Sequence, residues 1–146
     1  MTTDDSTIPA IETAHDPILC PDDLRQRWRA LMGPLGFGSA RLWFAFVGSD
    51  HRLVKVLDWL PLPAEPDPAD ADPLLSTLGV VVAELGADSV ALLISRPGRD
   101  GVSDDDLAWA RLLVEAARRH GVPLQPVHRA NDVELVALTN ANEAAA

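Results

Sequence analysis

Apolar and polar positions follow different periods in different stretches, and each period predicts an element. Val90–Ile94 shows no alternation: five successive apolar residues read as a strand covered on both faces, at the centre of a sheet. Ser95-Arg96-Pro97-Gly98 breaks that strand, and Arg99–Val102 is loop. Ser103 and Asp106 then form a capping-box-like helix start, each side chain able to bond a free N–H of the first turn. The helix runs from Asp104 to about His120, stopped by Gly121 with Pro123 beyond. Leu107, Ala110, Leu113, Val114 and Ala117 fill one arc of it, and Trp109, Leu112 and Ala116 widen that arc. Arg111, Glu115, Arg118 and Arg119 take the narrow remainder. So wide an apolar arc predicts burial on two sides or a partner surface. Trp109, Leu112 and Ala116 are therefore candidate interface residues, with Trp109 packed under the N-terminal arm as the alternative. Asp106 falls inside the apolar arc, where a carboxylate requires a partner.

Elsewhere the periods are simpler. Residues 1–19 carry Pro9 and Pro17, sustain no period and read as a flexible arm. Pro21-Asp22-Asp23 opens a helix with Leu24, Trp28, Leu31 and Met32 on one face, Arg25, Arg27 and Arg29 on the solvated side, and Gly33-Pro34 as its stop. Gly36-Phe37-Gly38-Ser39 precedes a strand instead of following one, so it is a turn and not a phosphate loop. Arg41–Val47 and Leu53–Leu60 form an antiparallel hairpin. Pro61–Pro73, with five prolines and four acidic residues, reads as an extended exposed loop. Leu74–Leu85 is a second helix with Gly86 as its C-cap, and Gly79 within it marks close packing. Leu124–Arg129 and Val133–Leu138 close the fold as a strand pair, and 139–146 is a disordered tail. The fold class is mixed α/β: a three-layer domain over residues 20–138 with a mixed sheet and about three helices.

Charge narrows the partners. The 146 residues carry a formal charge of −10, and an acidic envelope disfavours nucleic acid. Between Arg96 and Arg129, however, six Arg face five acidic residues, which leaves room for a local basic patch. Cys20 is the single cysteine, which suits a reducing cytoplasm. The N-terminal stretch has no apolar core of signal-peptide length, and no run is long enough to span a membrane. The expectation is a cytoplasmic protein with no membrane association.

The order helix, hairpin, Pro-rich loop, helix, strand, loop, helix, strand pair resembles the RadC-type branch of the JAB/MPN (JAMM) metalloprotease-like superfamily. The residues that carry the resemblance are LLSTLGVVVAELGADS, the strand VALLI, Pro97 at the strand end, Ser103-x-x-Asp106, and AWARLLVEAARRHGVPL with the final strand pair. PDDLRQRWRALMG and RLWFAFVGSDHRLVKVL fit upstream, so the likeness covers roughly residues 20–138. The resemblance implies a zinc site: two histidines of a His-x-His-Pro strand end, the Asp of Ser-x-x-Asp, and a Glu that activates the metal-bound water.

At the decisive positions this chain differs. Ile94 and Arg96 stand where the two histidines belong; isoleucine has no lone pair, and arginine stays protonated and repels a cation. Ser103 and Asp106 match, with the loop from Pro97 one residue shorter than usual. Asp58 is the nearest carboxylate for the missing Glu. His15, His51, His120 and His128 show no ligand spacing. A degenerate metal site of Ile94, Arg96, Ser103 and Asp106 therefore predicts no metalloprotease activity, no metal and no cofactor. Arg96 is expected to pair with Asp106, its guanidinium standing in for the metal's charge. The functional expectation is a pseudoenzyme acting as an interaction or scaffold module, with a protein partner or a second copy of itself, as a homodimer. The alternative is a non-metal enzyme, or a domain binding a small anion or peptide carboxylate at a cleft lined by Arg96 and Arg99.

Overall fold

In the computed structural model, which describes residues 8–139, a five-stranded mixed sheet lies between helices on both faces. The helices are α1 (Pro21–Met32), α2 (Pro68–Leu85) and α3 (Asp104–His120). The strands are β1 (Arg41–Val47), β2 (Leu53–Pro61), β3 (Ser89–Ser95), β4 (His128–Ala130) and β5 (Leu135–Ala137). Their order across the sheet is β2-β1-β3-β4-β5. Only β3 and β4 pair parallel, with Leu93 opposite His128 and Ile94 opposite Arg129; the other neighbours are antiparallel.

Strand β3 is buried at every position, as its unbroken apolar run requires. Val90, Leu92 and Ile94 face α2 and α3, meeting Leu75, Leu78, Trp109 and Leu113. Ala91 and Leu93 face the other way, into a smaller core built on Leu24 and Trp28 of α1. Period-two alternation in one strand thus supplies both apolar layers.

Several expectations are corrected. The proline-rich stretch is only partly loop, because α2 begins at Pro68, not Leu74. Asp67 caps its N-terminus by accepting from Ala69 N–H, and Pro68 takes the first helical position, where a missing N–H costs nothing. Pro73 lies inside the helix. The closing strands are also shorter than expected. Residues 123–125 do run beside β3, since Val90 N–H donates to Pro123 O and Gln125 N–H to Val90 O. The register then slips by one before His128, around Pro126, which has no N–H to give a ladder.

The N-terminal arm is a flexible segment by sequence, yet its described part is bound to the domain. A 3-10 helix spans Ile11–His15, Ile18 N–H donates to His51 O, and His15 Nδ1 lies 3.1 Å from Leu53 O. Arg27 donates to the carbonyls of Asp16 and Pro17, so it is an anchor and not a solvated charge. Arg29 is buried, with Nη1 donating to Gly33 O at 2.7 Å. At the other end Thr139 belongs to the fold, its hydroxyl accepting from Val127 N–H at 2.9 Å. Of the expected tail, residues 140–146 lie outside the described residues, as do residues 1–7 of the arm.

Candidate functional site

The loop after β3 brings five charged side chains and one buried amide together at the sheet's end. Strand alternation puts Arg96 on the same face as Ile94, directed at the start of α3. Ser103 caps that helix: its hydroxyl accepts from Asp106 N–H at 3.0 Å while Asp106 Oδ2 accepts from Ser103 N–H at 2.9 Å. The capping box fixes the Asp106 rotamer, and Arg96 closes on it in a two-pronged fork, Nε to Oδ1 at 3.0 Å and Nη2 to Oδ2 at 2.8 Å. Arg96 Nη2 also donates to Gly101 O, which ties the loop down.

A second arginine completes the cluster. Arg129 on β4 stands beside Ile94 and is fully buried. Its Nη2 donates to Glu134 at 2.9 Å, and its Nε lies 3.3 Å from Asp106 Oδ2, a charge contact without hydrogen-bond alignment. Nε and Nη1 make no hydrogen bond among the described residues. The β4–β5 turn braces the same loop: Asn131 donates to Asp100 O and accepts from Val133 and Glu134 N–H, while Asp132 accepts from Phe37 and Gly98 N–H.

The electrostatics follow from this geometry. Burial alone would raise the Asp106 pKa, but the Arg96 fork, the Ser103 N–H and the charges of Arg96 and Arg129 outweigh it and hold the carboxyl below its usual range. Hydrogen bonding to Asp106 raises Arg96 in turn. Two guanidiniums against Asp106 and Glu134 leave the cluster close to neutral.

These contacts bear directly on a metal. Both oxygens of Asp106 are occupied by Arg96, and Ile94 contributes only hydrocarbon. The residues present do not fit a zinc ion, and among the described residues no three His, Cys, Asp or Glu side chains are grouped to hold one. Asp58 is exposed on β2, where its Oδ1 accepts from Trp59 N–H, and β1 and β3 separate that strand from β4. His128 is buried on the opposite face from Arg129, its Nδ1 3.1 Å from Pro126 O. His120 meets Asp72 at 3.0 Å, where Arg119 also donates, joining the end of α3 to the start of α2.

The remaining candidates separate. Arg99 is exposed, while Arg96 commits its Nε and Nη2 to Asp106 and Gly101. Trp109 and Ala116 are inside the α2–α3 core, 4% and 0% exposed, and Leu112 packs against that core; a surface patch of these three is ruled out by their burial. Nor does Trp109 lie under the described part of the N-terminal arm, residues 8–19, which packs on α1 and β2. Sequence reasoning missed Arg129, Asn131, Asp132 and Glu134. The one available signal was an arginine at the end of an expected closing strand, Leu124–Arg129; which strand lies beside it is not written locally.

The chain is thus a three-layer mixed α/β domain with a closed ion cluster at the end of its central strand. Compared with known proteins, it matches no protein-family model and no curated relative. Among the described residues, no helix is long and apolar enough to cross a membrane.

Proposed function

We propose that this chain is a non-hydrolytic domain of the JAB/MPN type, nearest the RadC branch, that works by binding a protein partner instead of by metal chemistry. The observation that carries the reading is the two-pronged Arg96–Asp106 pair. It occupies the one ligand position retained from the family's pattern with a fixed organic cation, and Arg129 adds a second positive charge at 3.3 Å. A divalent cation would have to displace a half-buried, doubly hydrogen-bonded guanidinium and approach a second, fully buried one. A cytoplasmic, reducing setting suits the single exposed Cys20. The anion-binding reading is weaker, because Arg96 is committed to Asp106, and Asp100, Asp104 and Asp105 lie within six residues of Arg99 in the chain, a local excess of negative charge.

Elemental analysis of protein purified without an affinity tag tests the reading, together with thermal melts with and without added zinc. The expected result is no stoichiometric metal and an unchanged melting temperature. About one zinc per chain with a raised melting temperature would overturn it.

A further inference from the structure

Strand β2 is the long outer edge of the sheet: nine residues, LVKVLDWLP, against three in β5 at the opposite edge. Natural edges are usually short, charged or covered. Here Val56, Leu57, Trp59 and Leu60 are each 38–42% exposed, and only Lys55 and Asp58 are charged. Leu62 N–H donates to Ala40 O, so alternation along the ladder turns the backbone groups of Leu60 and Asp58 toward β1 and those of Leu57, Trp59 and Pro61 outward. Pro61 thus has its missing N–H at the free edge. The outward N–H of Trp59 is held by the Asp58 carboxylate at 2.8 Å, a stand-in for a strand partner.

We propose that this edge pairs with β2 of a second copy, antiparallel about a two-fold axis at Leu57. Such an axis, perpendicular to the sheet, keeps each side chain on its own face and so sets a residue opposite itself. Leu57 is the midpoint of Leu53–Pro61 and the first residue of its regular ladder, which shifts register between Leu57 and Leu53; the axis sets Leu57 against Leu57, Lys55 against Trp59 and Val56 against Asp58. Like charges stay apart in it, whereas an axis at Lys55 or Asp58 would oppose them. The strand is also polar in charge. Arg52 and Lys55 lie toward its start, Asp58 toward its end, and Asp70 beside Leu60 and Pro61. Antiparallel pairing lays the basic end of each copy along the acidic end of the other.

The α1 face offers a matching shape. A groove of about 310 Å3, lined by Ile11, Ala14, Leu31, Lys55 and Leu57, flanks the strand. Trp59 lies on that face, with Arg41 over its ring at 3.9 Å and Trp43 at 6.2 Å. Opposite Lys55, the partner's indole meets the rim of this groove. The inference is independent of the zinc question, since β1 and β3 stand between β2 and the ion cluster.

The test uses the full chain with Cys20→Ser, which removes the exposed native thiol. Residues opposed across the axis in a hydrogen-bonded pair have Cα atoms about 5.5 Å apart, within disulfide reach. Leu57→Cys should cross-link to a covalent dimer under mild oxidation, and Val56→Cys and Asp58→Cys much less. Sedimentation should give a dimer, and Leu57→Lys a monomer with an unchanged circular-dichroism spectrum. A monomer at all concentrations, a dimer that survives Leu57→Lys, or cross-linking equal at all three positions would each overturn the proposal.

Discussion

Asp106 illustrates how one carboxylate can be at once a helix cap, a buried charge and the centre of an ion cluster. Its side chain is 4% exposed and Arg96's is 20% exposed, so the pair is shielded from the screening that makes surface ion pairs weak. Removing one partner strands the other: Arg96→Met should cost about 2–4 kcal/mol and Asp106→Ala a similar amount. The double replacement should cost clearly less than the sum, a coupling that urea titrations of the four proteins would read. Additive losses would mean that the two residues act separately. The pair itself was legible in the sequence, because Asp106 fell on the apolar arc and Arg96 shared a strand face with Ile94. Arg129 was not, because its partners depend on which strand lies beside β3, and a parallel neighbour from after α3 leaves no local pattern. Arg29 misled for a different reason. Helical period assigns it a polar side, but its long side chain folds back to cap Gly33 O and is buried there.

At the scale of elements, periodicity located the three α-helices and the central strand, missed the 3-10 helix Ile11–His15, and failed where proline has two opposite uses. Pro68 starts α2 and Pro73 sits within it, so a stretch that looks like an uninterrupted breaker is half helix. The expected strand Leu124–Arg129 is shortened to His128–Ala130 because Pro126 interrupts the ladder; the backbone of Leu124–Val127 bonds β3 only in part. Gly79 is the close approach that a glycine in mid-helix suggests. A Cβ there would lie 2.9 Å from Val122 Cγ2, a stiff β-branched side chain. Gly79→Ala should therefore destabilise the domain by about 1–2 kcal/mol despite alanine's better helix propensity. Gly79→Ala with Val122→Ala should recover part of that loss in thermal melts, by removing the obstructing methyl.

For the whole molecule, acid reveals both faces of the sheet in turn. His128 is buried beneath α1, and burial lowers its pKa from 6.5 to about 4, with Arg25 adding to the shift while Pro126 O and Asp22 oppose it. A histidine depressed on folding contributes stability fully present above pH 6.5 and lost as pH falls toward 4. The loss over that window is on the order of 3 kcal/mol. Asp106, also depressed, holds its contribution above the ordinary carboxylate value of 3.8 and gives it up only at lower pH. Unfolding free energy measured by denaturant titration between pH 4 and 8 should thus fall first through His128. His128→Phe should flatten that segment and leave the steeper loss below it intact. An unchanged slope in the variant would place the proton uptake elsewhere.

The ion cluster also has an order of assembly. Arg96 and Asp106 are ten residues apart and can meet as soon as α3 forms. Arg129 and Glu134 reach the same point only after the chain has crossed the sheet and turned back through β5. A nascent chain that has exposed residues up to about His120 holds its acidic helix start with one arginine, and the far side of that carboxylate is still wet. The last two strands seal it. Hydrogen exchange should read this order: the amides of β4 and β5 are expected to exchange before those of β3.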